Sequence, residues 1–139
     1  MNLANDADRF KLLQVILQAT ESDLAAYGIL DAGTRKLRWL YAAGGASERT
    51  PMIRQAVNKG LSGEAIRSGR TSKRDELSSD AARFKLGEAI AVAENLRSAA
   101  ALPLLGEPAR PAVLLIGRRV ALAYLPEQLA EAERLSVRL

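Results

Sequence analysis

The chain has 139 residues, enough to build one core without staples from disulfides or metals. It contains no Cys and no His, which removes disulfides, thiolate metal sites and thiol nucleophiles together with the commonest general base and metal ligand. The formal charge of +4 comes from arginines spread along the chain, and a 48% hydrophobic fraction with only 4% aromatics suits a compact α+β body, not a disordered segment.

Residues 6–20 place Phe10, Leu13, Ile16 and Leu17 on one face with Leu12 beside them, the period of an amphipathic helix that Asn5 or Asp6 can cap. Residues 23–30 form a short apolar run holding Tyr27 and Ile29. Asp31-Ala32-Gly33-Thr34 supplies a turn, and Leu37, Trp39 and Tyr41 then alternate with Lys36, Arg38 and Leu40. That pattern is a hairpin with Trp39 on its second strand and Gly44-Gly45 closing it. A loop over 46–51 leads into a short strand over 52–57.

The stretch Asn58-Lys59-Gly60-Leu61-Ser62-Gly63-Glu64-Ala65-Ile66-Arg67-Ser68-Gly69-Arg70 sets three glycines around one short helix. Gly60 and Gly69 suit backbone with positive φ, and Gly63 suits close approach of another segment or a ligand to the helix start. Leu61, Ala65 and Ile66 form its buried stripe. A helix opening beside a glycine presents unpaired N–H groups that can hold a small anion with no charged side chain. The plainer alternative is a first turn bonded to water or to a neighbouring loop.

Residues 71–75 make a further short strand, Ser78-Ser79-Asp80 caps a helix over 81–86, and 88–94 is a looser run. Strongly apolar strands over 98–105 and 112–117, joined through Gly106-Glu107-Pro108-Ala109-Arg110-Pro111, give a second hairpin. Pro126-Glu127-Gln128 opens the last helix, with Leu129, Ala132, Leu135 and Leu139 on one face. The sum is a single domain over 1–139, one sheet with helices on both sides. No run approaches the ~18 apolar residues of a membrane span, and Met1-Asn2-Leu3 opens no signal peptide, so a cytoplasmic location without membrane contact is expected. The densest basic patch, Arg67, Arg70, Lys73 and Arg74, has no interleaved aromatics and runs into Asp75-Glu76. It reads as a solvated loop in preference to a nucleic-acid interface.

The order of elements, with Gly60-Leu61-Ser62-Gly63, Ser68-Gly69-Arg70, Ser98-Ala99-Ala100-Ala101-Leu102-Pro103-Leu104 and the apolar strand over 112–117, resembles a GAF domain over nearly the whole chain. The resemblance implies a GAF-like α+β fold: a central, mostly antiparallel sheet of five or six strands, terminal helices on one face and ligand-enclosing segments on the other. It also implies a homodimer through the terminal helices, to which Leu12 and Leu129 would add apolar surface. Leu37-Arg38-Trp39-Leu40-Tyr41-Ala42-Ala43-Gly44, Ser47-Glu48-Arg49 and Glu94-Asn95-Leu96-Arg97-Ser98 are most similar to the small nitrate-sensing GAF proteins that work beside a bacterial oxygen-sensing kinase. That likeness implies a nitrate-sized cavity between Trp39, the helix start at Leu61, Ser62 and Gly63, and the segment around Ile90 and Ala91. Backbone N–H groups would be the donors, Arg49 would add charge at the rim, and a sensor histidine kinase would be the partner. Nitrate is planar, small and weakly hydrated, so a dry pocket with a few donors can match it without a full countercharge. Taken alone, Trp39 also fits plain core packing and Arg49 a solvated loop cation.

Other functions known for the GAF family narrow against this composition. Without Cys there is no thioether-bound bilin and no sulfoxide-reductase chemistry, and the lack of His argues against haem. Phe84-Lys85-Leu86-Gly87-Glu88-Ala89 lacks the Asp-Glu pair that a cyclic-nucleotide motif begun by Asn58-Lys59 requires. The expectation is therefore a sensor with no catalytic residues, no metal and no cofactor. Its alternative is a ligand-free dimerisation or docking module whose pocket is filled by its own side chains, which the position of Glu88 suits.

Overall fold

The alternating and unbroken apolar runs become strands. In the computed structural model, which describes residues 6–45, 50–104 and 110–139, these strands join into one six-stranded sheet. β1 (Leu24–Asp31) and β2 (Lys36–Ala43) form the first hairpin, and β3 (Arg54–Ala56) extends it along β2. β5 (Ser98–Leu104) and β6 (Ala112–Arg118) form the second hairpin, with β4 (Ser72–Arg74) along β5. The order is β3-β2-β1-β6-β5-β4, and every pairing is antiparallel. β1 and β6 are central, and β6 is buried at every position, as an apolar run packed on both faces must be. Opposite Trp39 the partner residue is Gly28, where the ladder slips by an irregularity; a Cβ there would lie 2.7 Å from the indole ring. The glycine makes room for the ring.

The sheet separates two apolar layers. On one face, α1 (Asp6–Ala19) and α5 (Pro126–Ser136) pack together and bury Leu13, Ile16, Ala132 and Leu135 against Ala100, Leu102, Leu114 and Ile116. Phe10, expected on the buried face of α1, is instead 41% exposed. The buried stripe runs through Leu13, Ile16 and Thr20, and Phe10 falls on its flank. Leu12 and Leu129 are half-buried against this same layer, so much of their apolar surface is already used within the chain. Among the described residues no helix is long and apolar enough to cross a membrane.

On the other face lie α2 (Gly60–Ser68), α3 (Asp80–Leu86) and α4 (Ala89–Ala93). Gly60 and Gly69 both take left-handed backbone, at φ 73° and 70°, as the glycine spacing requires. Ser79 caps α3, its Oγ accepting from the Ala82 amide at 3.1 Å. The segment expected to be a looser run is α4, one turn of Ala-Ile-Ala-Val-Ala bracketed by Glu88 and Glu94. Together these helices cover Leu24, Ala26, Leu37, Trp39, Val113 and Leu115.

Candidate functional site

α2 reaches the sheet with its N-terminus inward, because Gly60 and Gly63 allow contacts that side chains would forbid. A Cβ on Gly63 would stand 2.2 Å from the Val57 carbonyl oxygen. A Cβ on Gly60 would meet Gln55 Nε2 at 2.7 Å and Glu88 Oε1 at 2.8 Å. The start of the helix is thus pressed between the end of β3 and the N-terminus of α4.

The expectation of free backbone donors at this point is corrected by Glu88. The Ser62 amide donates to Glu88 Oε1 at 2.8 Å, and the Leu61 amide and the Gln55 side chain also support that carboxylate. Gln55 in turn accepts from the Ala89 amide at 2.8 Å and donates to the Lys59 carbonyl at 3.0 Å, tying β3 to both helix starts. Glu88 is fully buried. Loss of water raises its pKa from 4.5 to about 7, against the downward pull of the hydrogen bonds from Ser62, Gln55 and Leu61. The positive end of the helix and its amides stand in for a countercharge.

Of the residues expected to line a cavity, the structure gathers six. Trp39, Leu61, Ile90 and Ala91 share one apolar cluster, with Ser62 and Gly63 buried at the adjoining helix start. Arg49, with Ser47 and Glu48, lies outside the described residues. The Ser62 hydroxyl also lies against the Glu88 carboxyl, and among the described residues the buried Trp39 Nε1 has no hydrogen-bond partner. A buried donor left without an acceptor costs about 1–3 kcal/mol.

A second carboxylate holds the far end of α4. Glu94 is buried, pairs through Oε1 with Arg119 Nη2 at 2.5 Å, and accepts from Thr50 Oγ1 at 2.6 Å through Oε2. Arg119 Nε also donates to the Glu94 carbonyl at 2.9 Å. One end of α4 is therefore held by an ion pair, the other by a carboxylate that makes no ion pair among the described residues.

The basic patch borders an open groove of about 440 Å³ that begins at Gly60 and is lined by Arg67, Arg74, Lys85 and Leu86. Arg67 donates to the Val57 carbonyl, Arg74 pairs with Glu64 at 3.7 Å and Lys73 with Asp75 at 3.3 Å. These cations are locally bonded, as a solvated surface would be, yet they surround the approach to the helix start with positive charge.

Sequence reading missed Glu88 as the group seated on α2, and Gln55 as its support. The available signals are slight: an acid opening an otherwise wholly apolar pentapeptide, and a Gln between Arg54 and Ala56 at an inward strand position.

A six-stranded antiparallel sheet with paired terminal helices on one face and short helices over the other is the fold of the GAF domain. Solved structures similar to this chain include a Staphylococcus aureus NreA protein mutated in its nitrate-binding site, at 23% identity and TM-score 0.73, covering 88% of this chain and 92% of that one. The GAF domain of an Acinetobacter phosphoenolpyruvate-protein phosphotransferase matches at 12% identity and TM-score 0.74, over 95% of this chain and 77% of that one. The GAF domain of a two-component sensor histidine kinase from Bacillus halodurans matches at 19% identity and TM-score 0.67, over 93% and 88%. The likeness is one of fold. No protein-family model matches the chain, and no curated protein does.

Proposed function

We propose that this chain is a sensor module of the GAF type that binds a small monovalent anion, nitrate first, at the start of α2 and signals to a protein partner such as a sensor histidine kinase. The observation that carries the reading is the Glu88 carboxylate on the Ser62 amide: a planar oxyanion already sits at this helix start, fully buried, with no ion pair to a cation among the described residues. Carboxylate and nitrate share planarity, delocalised charge and a charge of minus one. A place built for one suits the other in shape and donors. The Trp39 Nε1 donor, without a partner among the described residues, and the groove at Gly60 lined by Arg67, Arg74 and Lys85 with Glu64 support it further. So do the similar structures, one described by its nitrate-binding site and one as part of a two-component kinase. With neither Cys nor His in the chain, the role is binding and not catalysis.

Binding transmits a signal only through a difference in affinity between two arrangements, and α4, held at its start by a displaceable carboxylate, is the element able to supply the second one. The terminal helices on the opposite face are the surface a partner or a second copy would read. The test is thermal stability at pH 6 and fixed ionic strength with sodium nitrate, chloride and sulfate. A gain with nitrate alone is expected; no shift with any anion overturns the reading.

The same carboxylate favours one other reading. If Glu88 never leaves, α2 and α4 are permanently joined and the chain is a ligand-free docking module, the result that an unresponsive anion panel would establish.

A further inference from the structure

We infer that the anion enters this site together with a proton, Glu88 acting as a tethered competitor that yields the Ser62 amide when it becomes neutral. The inference rests on the anion-binding reading above and adds the currency of the exchange.

The geometry requires some such balance. At the helix start Glu88 Oε1 occupies the Ser62 amide, 2.8 Å from its nitrogen. A second anion beside an ionised Glu88 would place two negative charges in contact in a buried apolar cluster, which close like charges in low dielectric forbid. If Glu88 takes a proton from solvent, the site carries one negative charge before and after: carboxylate at first, then external anion with a neutral carboxyl. A tethered side chain also competes at a high effective concentration, so the free anion gains little while Glu88 stays ionised.

The groups around Glu88 leave it as the titrating member. From β3, Gln55 faces it, while Arg54 donates to the carbonyls of Pro51 and Ile53. From α2, Leu61 and Ser62 face it; Glu64 pairs with Arg74, Arg67 with the Val57 carbonyl, and Lys59 is exposed. From α3, Lys85 is exposed and Arg83 pairs with Asp80; at the far end of α4, Glu94 pairs with Arg119. None of these charges contributes to the titration of Glu88, which burial and hydrogen bonds set near 7. Exchange is thereby placed in the range where the cell interior sits.

The experiment is titration of the whole chain with sodium nitrate at pH 5.5, 6.5, 7.5 and 8.5, at constant ionic strength, for the wild type and for Glu88→Gln and Glu88→Ala. Wild-type Kd should be nearly constant below pH 6 and rise about tenfold per pH unit above 7, with one proton taken up per anion bound there. Glu88→Gln, permanently neutral, should bind at pH 8.5 as the wild type does at 5.5, and Glu88→Ala should lose the pH dependence too. Wild-type binding with the same Kd at pH 5.5 and 8.5 overturns the proton coupling and leaves the anion site standing. Absence of binding in all three proteins at every pH overturns the anion site itself.

Discussion

Glu88 concentrates the physical interest of this chain, because its buried carboxylate trades hydration for a few N–H groups and a helix end. In the unfolded chain it titrates near 4.5 and in the folded one near 7, so over that interval the native state holds the extra proton. The stability contributed by neutral Glu88 is therefore full below about pH 4.5 and lost as pH rises through about 7. At 1.36 kcal/mol per pH unit the loss is about 3 kcal/mol. Glu88→Gln keeps the acceptor for Ser62 and cannot titrate, so its urea-unfolding free energy should lack this decline; parallel pH profiles for the two proteins would refute the assignment. Sequence alone could name the acid but not its burial, which arises only when β3, α2 and α4 meet. Trp39, Leu61, Ile90 and Ala91 were legible as a group only through the resemblance to the GAF family, since the apolar stretch holding Ile90 and Ala91 declares no inward face of its own. Their convergence on Glu88 was not, since no local period links residue 62 to residue 88.

At the scale of elements, α2 is shaped by what its glycines exclude. Gly→Ala inside a helix ordinarily gains up to about 1 kcal/mol from propensity alone. At Gly63 the sign should reverse, because the new methyl would meet the Val57 carbonyl at 2.2 Å and push α2 away from β3, at a cost of about 1–3 kcal/mol. Gly69 supplies the control: nothing lies within 4 Å of a Cβ there, so Ala should lose only the ~1–2 kcal/mol of left-handed backbone. Denaturant midpoints of the two variants check this, and only Gly63→Ala should also disturb amide exchange at Ser62. The glycine spacing, the two hairpins and the terminal helices were readable because turn chemistry and periodicity agreed there. α4 was not, since an apolar residue at every one of its positions carries no period; its first amide, Ala89, is met from outside the helix by Gln55. Phe10 was misplaced for a related reason: a helical stripe shows its phase but not how far the sheet beneath it extends.

For the whole molecule, the sheet is a partition between the short helices α2, α3 and α4 on one face and the terminal helices on the other, and Arg118 fastens the terminal-helix side. It is buried at the end of β6, stacks on Tyr124 with 4.0 Å from guanidinium to ring centroid, and donates to the carbonyls of Thr20, Glu21, Leu122 and Ala123 and to Gln128 Oε1. Among the described residues no carboxylate shares this bonding; carbonyls from the end of α1 and the approach to α5 replace one. Arg118→Ala should therefore cost roughly 3–5 kcal/mol, most of it from stranded acceptors. Arg118→Lys should recover less than half of that, because one ammonium cannot span the fan of a planar guanidinium. Urea unfolding of the two variants measures both numbers; a loss under ~1 kcal/mol would show that the terminal helices hold without this residue. Next to it in the chain, Arg119 reaches the other way, to Glu94 at the foot of α4. Two consecutive guanidinium groups thus grip opposite sides of the partition, like a rivet with a head on each surface. A single peptide unit therefore joins the anchor of the small helix to the anchor of the helix pair behind, with no intervening strand between them.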